Sequence, residues 1–140
     1  MKENRKIKII TTQYAEGGKE TVIVETFADI SGNTDDYTLS YIETQGDSVG
    51  EMTFIHVTNK SRVEIKREKG TLASLIILEN GIRHISNYSV SGVSFNMGMS
   101  CSEISSDFEN GRLFFRYETD VELVPIGEIE FEFIFGKTGV

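Results

Sequence analysis

The sequence predicts an all-β fold, an antiparallel meander of roughly 8 to 10 strands closed into a barrel. Apolar and polar residues alternate with period two almost from end to end, and turn-forming pairs fall between the alternating segments. No window of helical length places its apolar residues at i, i+3, i+4 and i+7 without a β-branched run such as Val22 to Val24.

The alternation is plainest over residues 113–123. Leu113, Phe115, Tyr117, Thr119, Val121 and Leu123 share one parity, while Arg116, Glu118, Asp120 and Glu122 take the other. One face is therefore dry and the other wet. Residues 128–135 repeat this, with Ile129, Phe131, Phe133 and Phe135 inward, Glu128, Glu130 and Glu132 outward, and Ile134 out of step. Weaker versions occupy residues 6–13, 20–31, 36–43, 51–58, 62–67, 71–78 and 82–90. A longer segment starts at Val93, where Val93, Phe95, Met97, Met99 and Cys101 share parity towards Ile104.

Hairpins are expected at Gly32-Asn33, Asn59-Lys60, Lys69-Gly70, Asn80-Gly81, Ser91-Gly92 and Asn110-Gly111. Asn-Gly is the strongest of these signals, because both residues tolerate the positive φ of tight primed turns. Pro125 lacks an N–H and reads as a loop residue between the last two strands. At most a short helical turn is expected at residues 45–50 or 102–110, the latter capped by Ser105, Ser106 or Asp107. An open meander would leave sticky edges, so closure is favoured, with a two-sheet sandwich as the alternative that the same period allows.

A chain of 140 residues suits one domain spanning 1–140. With 14 basic and 22 acidic residues the net charge is -8, which argues against nucleic acid and anionic membrane as partners. The longest aliphatic run, residues 75–78, is far too short for a membrane helix, and no secretory leader is read at the N-terminus. The single cysteine, Cys101, cannot form an internal disulfide and suits the cytoplasm.

Few residues suggest chemistry. His56 and His84 take the inward parity of Met52 and Phe54, and of Ile82 and Tyr88, but no spacing points to a metal. They read as hydrogen-bonded strand residues, Cys101 as a small apolar one, and Gly17-Gly18-Lys19 as a hairpin loop. Glu118, Asp120, Glu122, Glu128, Glu130 and Glu132 read as solvating charges rather than a catalytic carboxylate pair. Lys2, Arg5, Lys6 and Lys8 could pair with that acidic surface if the first and last strands are neighbours. No catalytic residue, metal or cofactor is expected.

Among the inward positions, Tyr37, Leu39, Tyr41, His84, Tyr88, Phe95, Met97, Phe115, Tyr117 and Thr119 mix aromatic and polar groups, as ligand cavities do. Tyr41, His84, Tyr88, Phe95, Met97, Phe115 and Tyr117 are the candidate cavity residues. A filled core would contain the same set, and both readings stay open. Apolar residues at outward parity, Ile23, Phe27, Ile55, Ile77 and Phe114, support an alternative in which a solid-core protein works through its surface, as in a homodimer.

Several stretches carry a family resemblance: Val63 to Arg67 with Gly70, Leu75 to Leu78 with Gly81, Tyr88, Met97-Gly98, Gly111 to Leu123, and Gly127-Glu128-Ile129-Glu130-Phe131-Glu132. On these the chain resembles the YwiB-like family of small bacterial calycin-type barrels, a domain of unknown function. It departs at Val90-Ser91-Gly92-Val93, where that family usually reads Thr-Pro-x-Gly. The resemblance implies a lipocalin-like or fatty-acid-binding-like barrel in a cytosolic protein, and it carries over no catalytic residue. The expected function is non-enzymatic binding of a small apolar or amphipathic ligand, with Tyr88, Tyr117 and His84 orienting its polar end. A hydrolase or isomerase using His84 or His56 as general base ranks last.

Overall fold

Alternation gives every expected segment one face to bury, and each is a strand in the computed structural model. The structure describes residues 2–44, 46, 49–69 and 72–136, the side chains of 69, 72–73 and 88–90 excepted. The strands are β1 Lys2–Ala15, β2 Gly18–Asn33, β3 Asp36–Ile42, β4 Met52–Thr58, β5 Arg62–Lys69, β6 Leu72–Glu79, β7 Arg83–Val90, β8 Val93–Asp107, β9 Arg112–Val121 and β10 Val124–Ile134. No α-helix occurs among the described residues.

The ten strands form one antiparallel sheet in the order β6-β5-β4-β3-β2-β1-β10-β9-β8-β7. β1 and β10 are neighbours, in register from Lys8↔Ile134 to Tyr14↔Glu128. The two edges, β6 and β7, are consecutive in the chain, so the hairpin between them brings the edges back together. In the turn between them Glu79 and Ile82 form an isolated bridge, and the Gly81 N–H donates to the Cys101 carbonyl at 2.9 Å. The result is a nearly closed barrel with a seam between β6 and β7. Glu79 clips that seam: its Oε1 accepts from Arg62 Nη1 at 2.9 Å and lies 2.9 Å from His84 Nε2 on β7.

The core runs around the inner face through Ile7, Ile30, Leu39, Ile55, Val63, Leu78, Leu113, Phe115 and Phe133, all buried. Each such side chain contributes about 1.5–3 kcal/mol of hydrophobic stabilisation. One end of the barrel is plugged by Tyr37, Phe108 and Phe135, whose ring centroids lie 4.7 to 6.2 Å apart. The Tyr37 hydroxyl bonds Ser106 Oγ at 2.7 Å, and burial pushes its pKa up to about 12.

Several expectations need correction. β4 presents Thr53, Ile55 and Val57 inward, so Ile55 is core and His56 faces out, 2.8 Å from Asp36 Oδ1. Register decides this, since Leu39↔Ile55 and Tyr37↔Val57 tie β4 to the buried face of β3. No helical turn forms at 102–110, because β8 continues to Asp107. There Asp107 accepts from the Asn110 backbone N–H and side-chain amide, at 3.3 and 2.9 Å, and caps a hairpin. The other helical segment, 45–50, falls partly outside the described residues. Pro125 belongs to β10, opposite Asp120 and just before a bulge at Ile126. The hairpin turn is instead Glu122-Leu123, both at positive φ (50° and 72°) without a glycine.

Asp120 is buried, not a solvating charge: Arg83 Nε and Nη2 donate to its two oxygens at 2.9 and 2.6 Å. This pair lies across Gly98, where a Cβ would collide with both the guanidinium and the carboxylate. The glycine of Met97-Gly98 is thus required by the pair above it. Asp120 also accepts from the Leu123 N–H at 3.0 Å and so braces the strained turn.

Two outcomes follow. Leu123→Gly should stabilise the protein by about 1 kcal/mol, since a left-handed conformation costs a non-glycine residue about that much; an unchanged urea midpoint would refute the strain. The Arg83 hydrogen bonds hold the Asp120 carboxyl below its ordinary range. Its contribution is therefore intact above the unfolded value of about 3.9 and is lost as pH falls through the depressed native value. Urea unfolding at pH 7 and pH 3 should show a smaller acid loss for Asp120→Asn than for the unaltered protein; equal losses would show that the pair does not govern acid sensitivity.

Candidate functional site

In this meander β1, β3, β5 and β9 run in the same direction, so their C-terminal ends meet at one end of the barrel. Their inward stripes begin apolar and finish polar. Ile7 and Ile9 lead to Thr11 and Gln13, Leu39 and Tyr41 to Glu43, Val63 and Ile65 to Arg67, and Phe115 and Tyr117 to Thr119. The aromatic plug closes the opposite end.

At the polar end lies a cavity of about 210 Å³. Its apolar wall is Ile9, Val24, Ile129 and Phe131, with Tyr41 and Tyr117 beside them and Thr11, Gln13, Glu43 and Arg67 as its polar groups. Beneath it lies an aromatic stack. Tyr117 stacks on Phe131 with an interplanar angle of 4°, and Phe131 on Phe115 and Phe133 with centroids at 5.3 and 5.9 Å.

Tyr41, Thr53 and Arg67 are cross-strand partners in one row over β3, β4 and β5, which aims all of them inward. Thr53 Oγ1 donates to Glu43 Oε1 at 3.0 Å. Burial first, and the Glu43 charge second, raise the Tyr41 phenol well above the ordinary phenol range, so it remains a donor at neutral pH. Arg67 Nε is sealed from solvent with no hydrogen-bond acceptor among the described residues. Leaving such a donor unmet costs about 1–3 kcal/mol.

Of the candidate cavity residues, the structure brings Tyr41 and Tyr117 together at the cavity. Phe115 is wholly buried in the stack below, and Met97 packs against the core from β8. Phe95 is half-buried on β8, and His84 sits at the seam on Glu79. The Tyr88 side chain lies outside the described residues. Arg67, Glu43, Gln13 and Thr11 were missed, although each continues an apolar inward stripe with a polar residue. That breach of pattern was the available signal.

Elsewhere, Cys101 is buried and its thiol is pushed up by burial, the opposite of nucleophile activation. Among the described residues no group of three His, Cys, Asp or Glu side chains is placed to hold a metal ion, and no helix is long and apolar enough to cross a membrane. On the outside, residues 18–28 of β2 pair with β1 alone, because β3 meets β2 only at Asp29 to Asn33. Ile23 and Phe27 are exposed along that stretch.

Residues 7–133 match the family described as "Domain of unknown function (DUF1934)". None of the curated proteins compared matches the sequence. Among solved structures, the crystal structure of the ywiB protein from Bacillus subtilis is similar, with a TM-score of 0.71 at 17% identity. That similarity covers 97% of this chain and 94% of the other, and at such identity it speaks for the fold alone.

If the orphaned donor is a real cost, Arg67→Met should raise stability by about 1 kcal/mol. The urea midpoint measures this, and a lowered midpoint would show that the guanidinium is satisfied in the native state.

Proposed function

The chain belongs to the DUF1934 family, a domain of unknown function, and we propose that it is a non-enzymatic protein that binds a small apolar or amphipathic molecule at the polar end of its barrel. The carrying observation is the cavity itself, where an apolar wall faces a few convergent polar groups, the usual make-up of ligand sites. Its volume of about 210 Å³ falls below the roughly 300–1,000 Å³ of common ligand pockets, which favours a compact molecule or the head of a longer one. A lipocalin-like carrier suits a barrel with a plugged end and an open one. Binding is favoured over catalysis because both histidines lie away from the cavity and the only thiol is buried. A lone thiol also fits a cytoplasmic setting.

A second reading has its own observation. The unpaired stretch of β2, with Ile23 at 55% and Phe27 at 63% exposure, is a free edge of the kind that adds a strand from another molecule. On this reading two copies join edge to edge.

Thermal unfolding with a panel of small amphipathic molecules tests the first reading. A ligand at 100 times its Kd should stabilise the protein by about 2.7 kcal/mol. Val24→Phe, which fills the cavity, should abolish that shift and leave the fold intact. A panel without any stabilising member sinks the binding role. For the second reading, sedimentation across a wide concentration range should show dimer, lost in Ile23→Lys; a strict monomer rules it out.

A further inference from the structure

Resting on the binding role proposed above, we infer that the ligand is a small monocarboxylate with an apolar body, and that Arg67 receives its carboxylate. In this acid-rich chain every other arginine has a carboxylate partner. Arg5 meets Glu3, Arg62 meets Glu64 and Glu79, Arg83 meets Asp120, Arg112 meets Glu132, and Arg116 meets Glu128 and Glu130. Arg67 alone has no ion pair among the described residues, although acids outnumber bases 22 to 14. An excess of carboxylates makes an unpaired guanidinium on the inner face of a barrel hard to explain as packing.

Position adds to composition. Arg67 ends the stripe of Val63 and Ile65 and lines the cavity, with its Nε–H cut off from solvent and from any acceptor. Since the Nε–H is covered by protein, an anion in the cavity would meet the guanidinium through its terminal nitrogens, and a partly desolvated cation without a counter-ion favours one. The planar fork of the guanidinium suits a carboxylate, which is purely an acceptor when ionised. Tyr41, two strands along the same row with Thr53 between, lines the same cavity, where its phenol is turned to Glu43. The apolar remainder of the ligand then lies on Ile9, Val24, Ile129 and Phe131.

Glu43 narrows the choice further. It is the one carboxylate lining the cavity, it is held by Thr53 Oγ1, and it is not paired with Arg67. Its charge opposes a second negative charge on the ligand, which selects a monoanion over a phosphate-like dianion.

Isothermal titration of the full chain with hexanoate, hexanol and hexylamine decides the matter. Hexanoate should bind about tenfold or more tightly than hexanol, the difference a charged hydrogen-bonded pair confers. Arg67→Met should erase that preference while hexanol binding persists. Arg67→Lys, which keeps the charge but not the fork, should restore only part of it, and Glu43→Gln should tighten hexanoate. Equal binding of hexanol and hexanoate, a preference that survives Arg67→Met, or a preference for hexylamine would overturn the carboxylate and leave the binding role standing. If no probe binds, both fall.

Discussion

Cross-strand pairing ties the parity of each strand to that of its neighbours, and in a sheet curled back on itself this leaves only one inside. Once Leu39 is buried, Ile55 opposite it must be buried, and so must Ile65 opposite Ile55. The aromatic stack, the plugged end and the cavity all follow from that shared inner surface. A slip of one residue in any pair would send charged residues into the interior.

The same constraint explains what could be read in advance. Where one face is apolar and the other mostly charged, as on β9 and β10, the sequence announces strand and orientation together. On β4 both faces carry apolar residues, with Met52 and Phe54 on one and Ile55 and Val57 on the other, so only the pairing with β3 chooses between them. Asp120 and Pro125 were misjudged for a related reason: a long-range partner, Arg83, buries the first, and a bulge admits the second to a strand. The end of the barrel holding the cavity was visible only as polar residues prolonging apolar stripes. Tyr41 and Tyr117 stand out as aromatic, whereas Arg67 is marked only as the charged end of the stripe of Val63 and Ile65.

Electrostatics arranges the outside by proximity. β1 does lie beside β10, yet Lys2 and Lys6 turn to the other side, onto Asp29 and Glu25 of β2, while Arg5 pairs with Glu3 on its own strand and donates to the Gly136 carbonyl. The glutamates of β10 are already engaged by Arg112 and Arg116 from β9. Exposed pairs of this kind contribute little energy each, but they fix which neighbour a strand's charges prefer.

The plug of Tyr37, Phe108 and Phe135 makes the barrel a cup rather than a tube. On the binding role proposed above, a guest would enter and leave by the same doorway, so that uptake and release would share a single route. A guest longer than the cup would keep its tail outside, at the rim.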